Sequence, residues 1–341
     1  MRILWTTNEP PLLHAPLVFL NPLAAWLRDQ GVDIEIHRTA SLRSPWAIYR
    51  AAREIGRKSR RFDIVHSQYG SACAVATVYG DHGPSMITVR GSDWNTYSAS
   101  CHWLWAHTRL ARALTRHAIP RASAVLAVSR RMMAELGRFA PGVPLHCVPT
   151  PIDLGKFRPA DPHEIAGRSA LGLPADPGRP WVLFNSLDLG NPVKRFGLAK
   201  ESIKLARSEF GIHCELVLAS GIPHDQMPAL TRCCDVILST SEAEGWPNCI
   251  KEALASGVPF VATDTSDLRE IARVDPRCSV VDCQPRAIAS AIARAISMRG
   301  TFDRHDLRRH VASMQLPSIG GRIMEIYQSV IGKGLGCAIS R

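Results

Sequence analysis

The 341-residue sequence has no apolar run approaching the roughly 18 to 20 residues that cross a bilayer, so a membrane-spanning helix is not expected. Its opening, MRILWTTNEPP, carries too short an apolar core for a secretory signal, which makes the cytosol the expected compartment. The ten cysteines are scattered: only Cys233 and Cys234 are adjacent and no CxxC pair occurs. Neither a zinc site nor a disulfide framework is therefore expected, and the thiols read as free and mostly buried. Short-period repeats and low-complexity tracts are missing too. Acidic residues are scarce in one half: residues 1–150 hold nine Asp and Glu against eighteen Lys and Arg, whereas the remainder holds 21 against 23. Most of the net charge of +11 thus falls on the first half. Such a half either meets anionic material, phosphate-bearing lipid or nucleic acid, or simply presents a solvated cationic surface.

What is present is enough for two ordinary domains, with a 46% hydrophobic content able to supply two cores. RILWTT reads as a buried strand and NPLAAWLRDQG as the helix after it, with Leu23, Trp26 and Leu27 on one face and Gly31 ending it. VDIEIHR, RFDIVHSQYG, PSMITVRGSD and ASAVLAVS follow as strands, the last leading into the helix RRMMAELGRF. Between about Pro149 and Pro180 seven prolines mark a linker candidate. A second alternating series follows: WVLFNSL, RFGLAKESIKLARSE, HCELVLAS, HDQMPALTRC, DVILSTS, PNCIKEALASG, PFVATD and SDLREIA. Strands separated by helices imply parallel sheets with right-handed crossovers, here in two α/β domains.

The segment SEAEGWPNCIKEALASGVPFVATD stands where ligands collect in such sheets, beyond the carboxyl end of the strand Asp235–Ser239. A helix beginning near Asn248 would aim free N–H groups and its dipole at an anion such as a diphosphate. Gly245 would let the backbone approach closely, and Pro247 gives up an N–H that the helix would not use. Glu244 and Glu252 could then reach one bound ligand, and a carboxylate suits neighbouring hydroxyls of a sugar or ribose. By spacing alone, either glutamate could equally be a dipole partner at a helix start.

EGWPNCIKEALASGVPFVATD resembles the E-x7-E region of the retaining GT-B glycosyltransferases of family 4. FDIVHSQYG, ITVRGSD, ASAVLAVS, VPTPIDLGKFRP, NPVKRFGLAK and ELVLASGIPHDQMPALTRCCDVILSTS are similar to that family's blocks in order, and NPVKRF and EGWPNCIKEAL are close to members that build bacterial exopolysaccharide and teichuronic-type polymers. The resemblance implies two Rossmann-like domains facing a cleft. Residues 1–160 would bind the acceptor, 161–316 the nucleotide-sugar donor, and a helix in 317–341 would cross back to the first domain.

It further implies that Glu252 holds the ribose hydroxyls, Glu244 lies near the transferring sugar, and Lys194, helped by Arg195, meets the donor phosphates. Gly245, Trp246 and Asn248 would complete the donor site, with Trp246 narrowing the sugar pocket. Where family members carry a histidine in the ITVRGSD block, this chain has Arg90, so Arg90 and Asp93 become the catalytic candidates. His66 stands on the acceptor side, where a structural hydrogen bond is an equal alternative. The family's GRL arginine is replaced by Asn185-Ser186-Leu187, and its paired glycines in the first loop by NEPPLLHAPLVF.

No D-x-D motif occurs, and enzymes of this kind need neither metal nor cofactor, the nucleotide-sugar being a substrate. The acceptor is expected to be lipid-linked or a saccharide. Arg50, Arg53, Arg57, Lys58, Arg60 and Arg61, with Trp103 and Trp105 beside Arg109, Arg112 and Arg116, suggest an anionic membrane surface as partner at the inner face of the plasma membrane, the alternative being core tryptophans and solvated arginines. Nothing resembles a nucleic-acid-binding motif. Two rivals remain at this stage: a nucleotide-sugar epimerase, and a non-catalytic binding protein.

Overall fold

A computed structural model describes residues 1–8, 20–98, 102–161, 167–173 and 175–339, with the side chains of His102, Trp103, Ala170 and residues 333–339 outside the described set. Most of the first loop, residues 9–19, also lies outside it. The chain forms two units: Met1–Pro151 with Leu316–Arg341, and Ile152–Gln315.

In the first unit the strands β1 (Arg2–Thr7), β2 (Asp33–Arg38), β3 (Ile64–Ser67), β4 (Ser85–Val89), β5 (Ala124–Ala127) and β6 (Leu145–Cys147) make one parallel sheet in the order β2-β1-β3-β4-β5-β6. Helices α1 (Leu20–Asp29), α2 (Pro45–Ser59), α3 (Ser71–Gly80), α4 (His102–Ala118) and α5 (Arg130–Phe139) alternate with them. Local chemistry sets the helix ends. Ser44 caps α2 by accepting from Ala47 N at 3.2 Å, with Pro45 opening the first turn. Gly31, at φ +81°, takes the left-handed geometry that stops α1. One face of the sheet buries Ile3, Trp5, Leu23, Leu27, Ile64 and Met86.

That core is closed from the far end of the chain, because Ile319, Ile323 and Tyr327 of the last helix pack into it. The helix spans Leu316–Ile339, and Gly320 leaves the space that the Trp26 ring of α1 occupies. The indole nitrogen of Trp5 donates to the Tyr327 hydroxyl at 2.9 Å, tying β1 to this helix inside the core.

The second unit carries β7 (Trp181–Phe184), β8 (Glu215–Leu218), β9 (Val236–Ser239), β10 (Phe260–Thr263) and β11 (Ser279–Val281), parallel and ordered β11-β10-β9-β7-β8. Between them run α6 (Phe196–Ser208), α7 (Met227–Cys233), α8 (Asn248–Ala255), α9 (Leu268–Val274) and α10 (Pro285–Ser297). The proline-rich stretch is not a linker along its described length, since all of it after Pro151 belongs to this unit. Arg168, only 3% exposed, fixes part of it by pairing with Asp235 at 2.8 Å and donating to the Cys233 and Arg179 carbonyls. The eight described cysteines are unpaired, and five of them are buried.

Candidate functional site

Strand order decides where each sheet can hold a ligand. In the second unit the chain leaves β7 toward β8 on one side and returns to β9 on the other, so the loops after β7 and β9 diverge and leave a crevice at their carboxyl ends. Lys194 stands in the first of these loops and Glu244 in the second, fifty residues apart. Their side chains meet with Nζ to Oε1 at 2.6 Å. Burial lowers the Lys194 pKa, but the Glu244 charge and hydrogen bond more than offset it, leaving the ammonium above its ordinary value. A parallel pair lies beside it: Arg195 Nη2 is 3.4 Å from Glu242 Oε2.

The backbone holds both loops in register. Glu242 N donates to the Val193 carbonyl at 2.9 Å, and Thr240 Oγ1 donates to the carbonyls of Lys194 at 2.7 Å and Arg195 at 3.1 Å. Arg195 sits at φ +49°, a left-handed conformation that costs a non-glycine residue roughly 1 to 2 kcal/mol. The other non-glycine residues with positive φ among those described are Ser71 and Ser266. All three follow carboxyl ends of strands, which marks these edges as places where the fold maintains strain.

The second loop runs into α8, whose first turn is formed by Pro247 and Asn248 with no side-chain cap. Its terminal N–H groups therefore remain available to an anion. The Asn248 amide makes no hydrogen bond among the described residues. Glu252 lies in the second turn, 8% exposed, with Oε1 at 3.6 Å from His224 Nε2. The Glu252 carboxylate facing the ring raises the His224 pKa against the effect of burial. Cys249, between the two glutamates, is pushed up to about 12 by burial, so its thiol is neutral and no nucleophile.

Gly245 keeps ordinary backbone geometry, and its carbonyl accepts from Ser266 Oγ at 2.6 Å. Trp246 departs from the expected pocket wall: it is 6% exposed and packs with the Lys251 ammonium 5.6 Å above its ring. It shapes the turn from beneath. His224, Glu242 and Ser266 are site residues that the sequence reading did not select. His224 and Ser266 stand after other strands, and only the sheet order brings them here.

In the first unit the order reverses between β1 and β3, and Arg90, Asp93 and His66 gather near that point. Arg90 donates from Nε to the Gln68 carbonyl at 2.7 Å, from Nη2 to Gln68 Oε1 at 2.9 Å and from Nη1 to Thr150 at 3.2 Å. Asp93 is 3% exposed and accepts backbone N–H bonds from Gly70, Arg90 and Gly91. Burial raises its pKa against those bonds. As placed, it frames the loops after β3 and β4 and does not offer a free carboxylate.

His66 is likewise turned inward. It lies on β3 at 1% exposure, with Nδ1 2.7 Å from the Tyr327 hydroxyl and Nε2 2.8 Å from Thr88 Oγ1. The Trp5 indole can only donate, so the Tyr327 hydroxyl accepts from it and donates its own hydrogen bond to Nδ1. The ring proton then sits on Nε2, facing Thr88. Burial, and next the Arg90 charge, lowers the His66 pKa to about 3, which fixes the ring as neutral. Of the two readings open for His66, these contacts are those of the structural hydrogen bond.

Comparison with known proteins places these features in a family. Residues 10–156 match the model for Glycosyltransferase Family 4, and residues 196–298 match Glycosyl transferases group 1. A Bacillus subtilis protein named for glycosyl transfer in teichuronic acid biosynthesis is 26% identical over 247 residues, covering 68% of this chain and 61% of that protein. A Streptomyces fradiae 2-deoxystreptamine N-acetyl-D-glucosaminyltransferase is 25% identical over 288 residues, covering 74% and 66%. The matches thus span less than two thirds of those relatives. Among solved structures, sucrose-phosphate synthase of Thermosynechococcus elongatus superposes with a TM-score of 0.74 at 16% identity, covering 97% of this chain and 99% of that one. Anabaena HepE in complex with UDP and glucose gives 0.67 at 15%, covering 96% and 100%.

Proposed function

We propose, for a chain that belongs to glycosyltransferase family 4 and has the GT-B fold, that its second unit binds a nucleotide-sugar and that the protein transfers the sugar to an acceptor with retention of configuration. The observation that carries this reading is the meeting of Lys194 and Glu244 at the β7–β9 crevice, beside the uncapped N-terminus of α8. Each member of that pair has a counterpart on a nucleotide-sugar. The diphosphate takes Lys194, Arg195 and the α8 N–H groups, and Glu244 is released toward the sugar hydroxyls. Glu252 holds the ribose hydroxyls once it parts from His224.

Catalysis follows from charge. As the sugar–phosphate bond breaks, negative charge grows on the departing diphosphate, where Lys194 and the helix end offset it without a metal ion. The acceptor hydroxyl attacks from the face the diphosphate leaves and gives its proton to the departing phosphate oxygen as the sugar–phosphate bond breaks, so configuration is kept. Arg90, held by Gln68 and Thr150 with its backbone N–H on Asp93, is a cation of the first unit alone. The HepE complex supports a nucleotide-sugar donor, and the B. subtilis relative supports a role in cell-surface polysaccharide synthesis. No helix among the described residues is long and apolar enough to cross a membrane. A lipid-linked acceptor would then be met by peripheral attachment through the basic first unit.

The test is calorimetry on Glu252→Ala. Loss of a hydrogen bond to a charged group should weaken nucleoside diphosphate binding by roughly 1.5 to 3 kcal/mol, about ten- to 150-fold. Unchanged affinity in a folded variant would remove Glu252, and with it this donor pose.

A further inference from the structure

The first unit holds a large cavity away from Arg90, Asp93 and His66, and its construction begins with α3. SACAVATVYG is a slender helix, and Gly56 of α2 and Gly80 of α3 bring the two backbones into direct contact. A side chain on either glycine would strike the other helix's backbone. With α3 drawn in, α2 and α4 stand on either side as walls, and Val75 and Tyr79 line the trough between them. The cavity has a volume of about 950 Å³, near the top of the range for ligand pockets, and most of its lining is apolar. It extends from Leu42–Ser44, before α2, to Arg60 just beyond it, so it runs the length of that helix, about 22 Å at 1.5 Å per residue.

Two further features distinguish this trough from an ordinary surface groove. Its rim carries Arg43, Arg53, Arg57 and Arg60, none paired with a carboxylate among the described residues, while Lys58 on the same helix pairs with Glu35 at 3.3 Å. Large apolar side chains beside it face solvent: Trp46 is 66% exposed, Leu110 60% and Tyr49 50%, with the Trp46 and Tyr49 rings stacked at 5.4 Å. An aromatic and aliphatic surface bordered by unpaired cations complements an amphiphile with a hydrocarbon chain and an anionic head. The cations also extend beyond the trough, to Arg50 and Arg61, which is broader than one phosphate requires and fits a leaflet of anionic headgroups.

We propose that the α2–α3–α4 trough takes one hydrocarbon chain of an anionic bilayer phospholipid, with lipid phosphates on Arg43, Arg53, Arg57 and Arg60. The proposal rests on the membrane-facing role given to the first unit above and adds a groove for one chain to it. One chain or one basic patch alone anchors a protein weakly, whereas the two together hold it. The surface differs from the one expected on α4. There Arg112 lies over the Trp94 ring at 4.8 Å and Arg116 over Phe139 at 4.4 Å, so both are engaged by the protein's own aromatics.

The experiment is flotation of the whole protein with vesicles of phosphatidylglycerol or phosphatidylcholine at 0.1 M and 0.5 M salt, with donor binding measured in parallel. Binding to phosphatidylglycerol should exceed that to phosphatidylcholine at least tenfold and persist in part at high salt. Val75→Trp, which fills the trough without changing charge, should lower it about tenfold, and Leu110→Asp on the opposite wall should do the same. Either variant serves if the other fails to fold. Binding abolished by 0.5 M salt and untouched by both substitutions would overturn the chain site while leaving electrostatic attachment standing. No binding to phosphatidylglycerol would overturn the proposal and membrane attachment together, and would assign the trough to a protein partner. Intact donor binding in either case leaves the transferase reading untouched; its loss with intact lipid binding would remove that reading alone.

Discussion

The two switch points of this protein hold similar residue types in opposite states. At the first, Arg90, Asp93 and His66 are committed to backbone groups and to one another's neighbours, and both the acid and the histidine are sealed from water. At the second, Lys194 with Glu244 and Arg195 with Glu242 form ion pairs whose side chains keep 18% to 29% of their surface exposed. A sealed network resists exchange because each broken bond strands a buried polar group. A half-exposed ion pair can trade its partner for a phosphate or a hydroxyl at small cost, because solvent already weakens it. The first arrangement is built as a frame, and the second can exchange partners, as the proposed donor site requires.

Substitution at Lys194 gives the sharpest way to break that contrast. Lys194→Ala should leave folding intact and lower turnover by about a hundred- to a thousandfold, the loss typical when one preorganised donor to a developing anion is removed. The Michaelis constant for the donor should rise less than turnover falls. Steady-state kinetics on a nucleotide-sugar shown to bind would check it. A variant that only raised the Michaelis constant would make Lys194 a ground-state contact.

Asp93 should behave in the opposite way. Asp93→Ala leaves the backbone N–H groups of Gly70, Arg90 and Gly91 without their acceptor inside the first unit. The expected loss is about 3 kcal/mol, or roughly 6 to 12 °C in melting temperature for a unit of this size. Nucleoside diphosphate binding, proposed for the second unit, should not change. Preserved stability with abolished transfer would instead return Asp93 to the catalytic role expected of it.

The same contrast explains what could be read from sequence. Hydrophobic runs and helix periodicity announced both sheets, because strand and helix formation depend on neighbours in the chain. The spacing of Glu244 and Glu252 was equally local. What stayed hidden depends on distant partners. Nothing in NPVKRF indicates that Lys194 will meet a carboxylate fifty residues on, and nothing in DIVHSQYG indicates that His66 will be covered by Tyr327, 261 residues away. Trp246 looked like a pocket wall because a tryptophan beside two glutamates suggests a sugar platform. Its burial against Lys251 depends on how α8 packs. Trp46 and Tyr49 went unnoticed because α2 was read for its arginines alone.

Acid should separate the two units further, because each contains a histidine whose pKa is shifted in the opposite sense. His66 is depressed to about 3, so the unfolded state binds its proton first, and stability falls as pH drops below about 6.5, by up to about 1.4 kcal/mol per unit. His224 is raised by the Glu252 carboxylate beside it, so the folded state holds that proton more tightly. Its contribution is fully present below about 6.5 and is lost as pH rises through the raised folded value. Because His224 is 46% exposed, solvent should limit that contribution to about 0.5 kcal/mol. Urea unfolding at pH 5.5 and 7.5 reads both effects. His66→Gln should flatten the acid loss, whatever its absolute stability, and His224→Gln should cost stability at pH 5.5 but little at pH 7.5. An equal cost at both pH values would mean that His224 acts through packing against Phe157, 6.2 Å away, and that the Glu252 carboxylate is already free for the ribose.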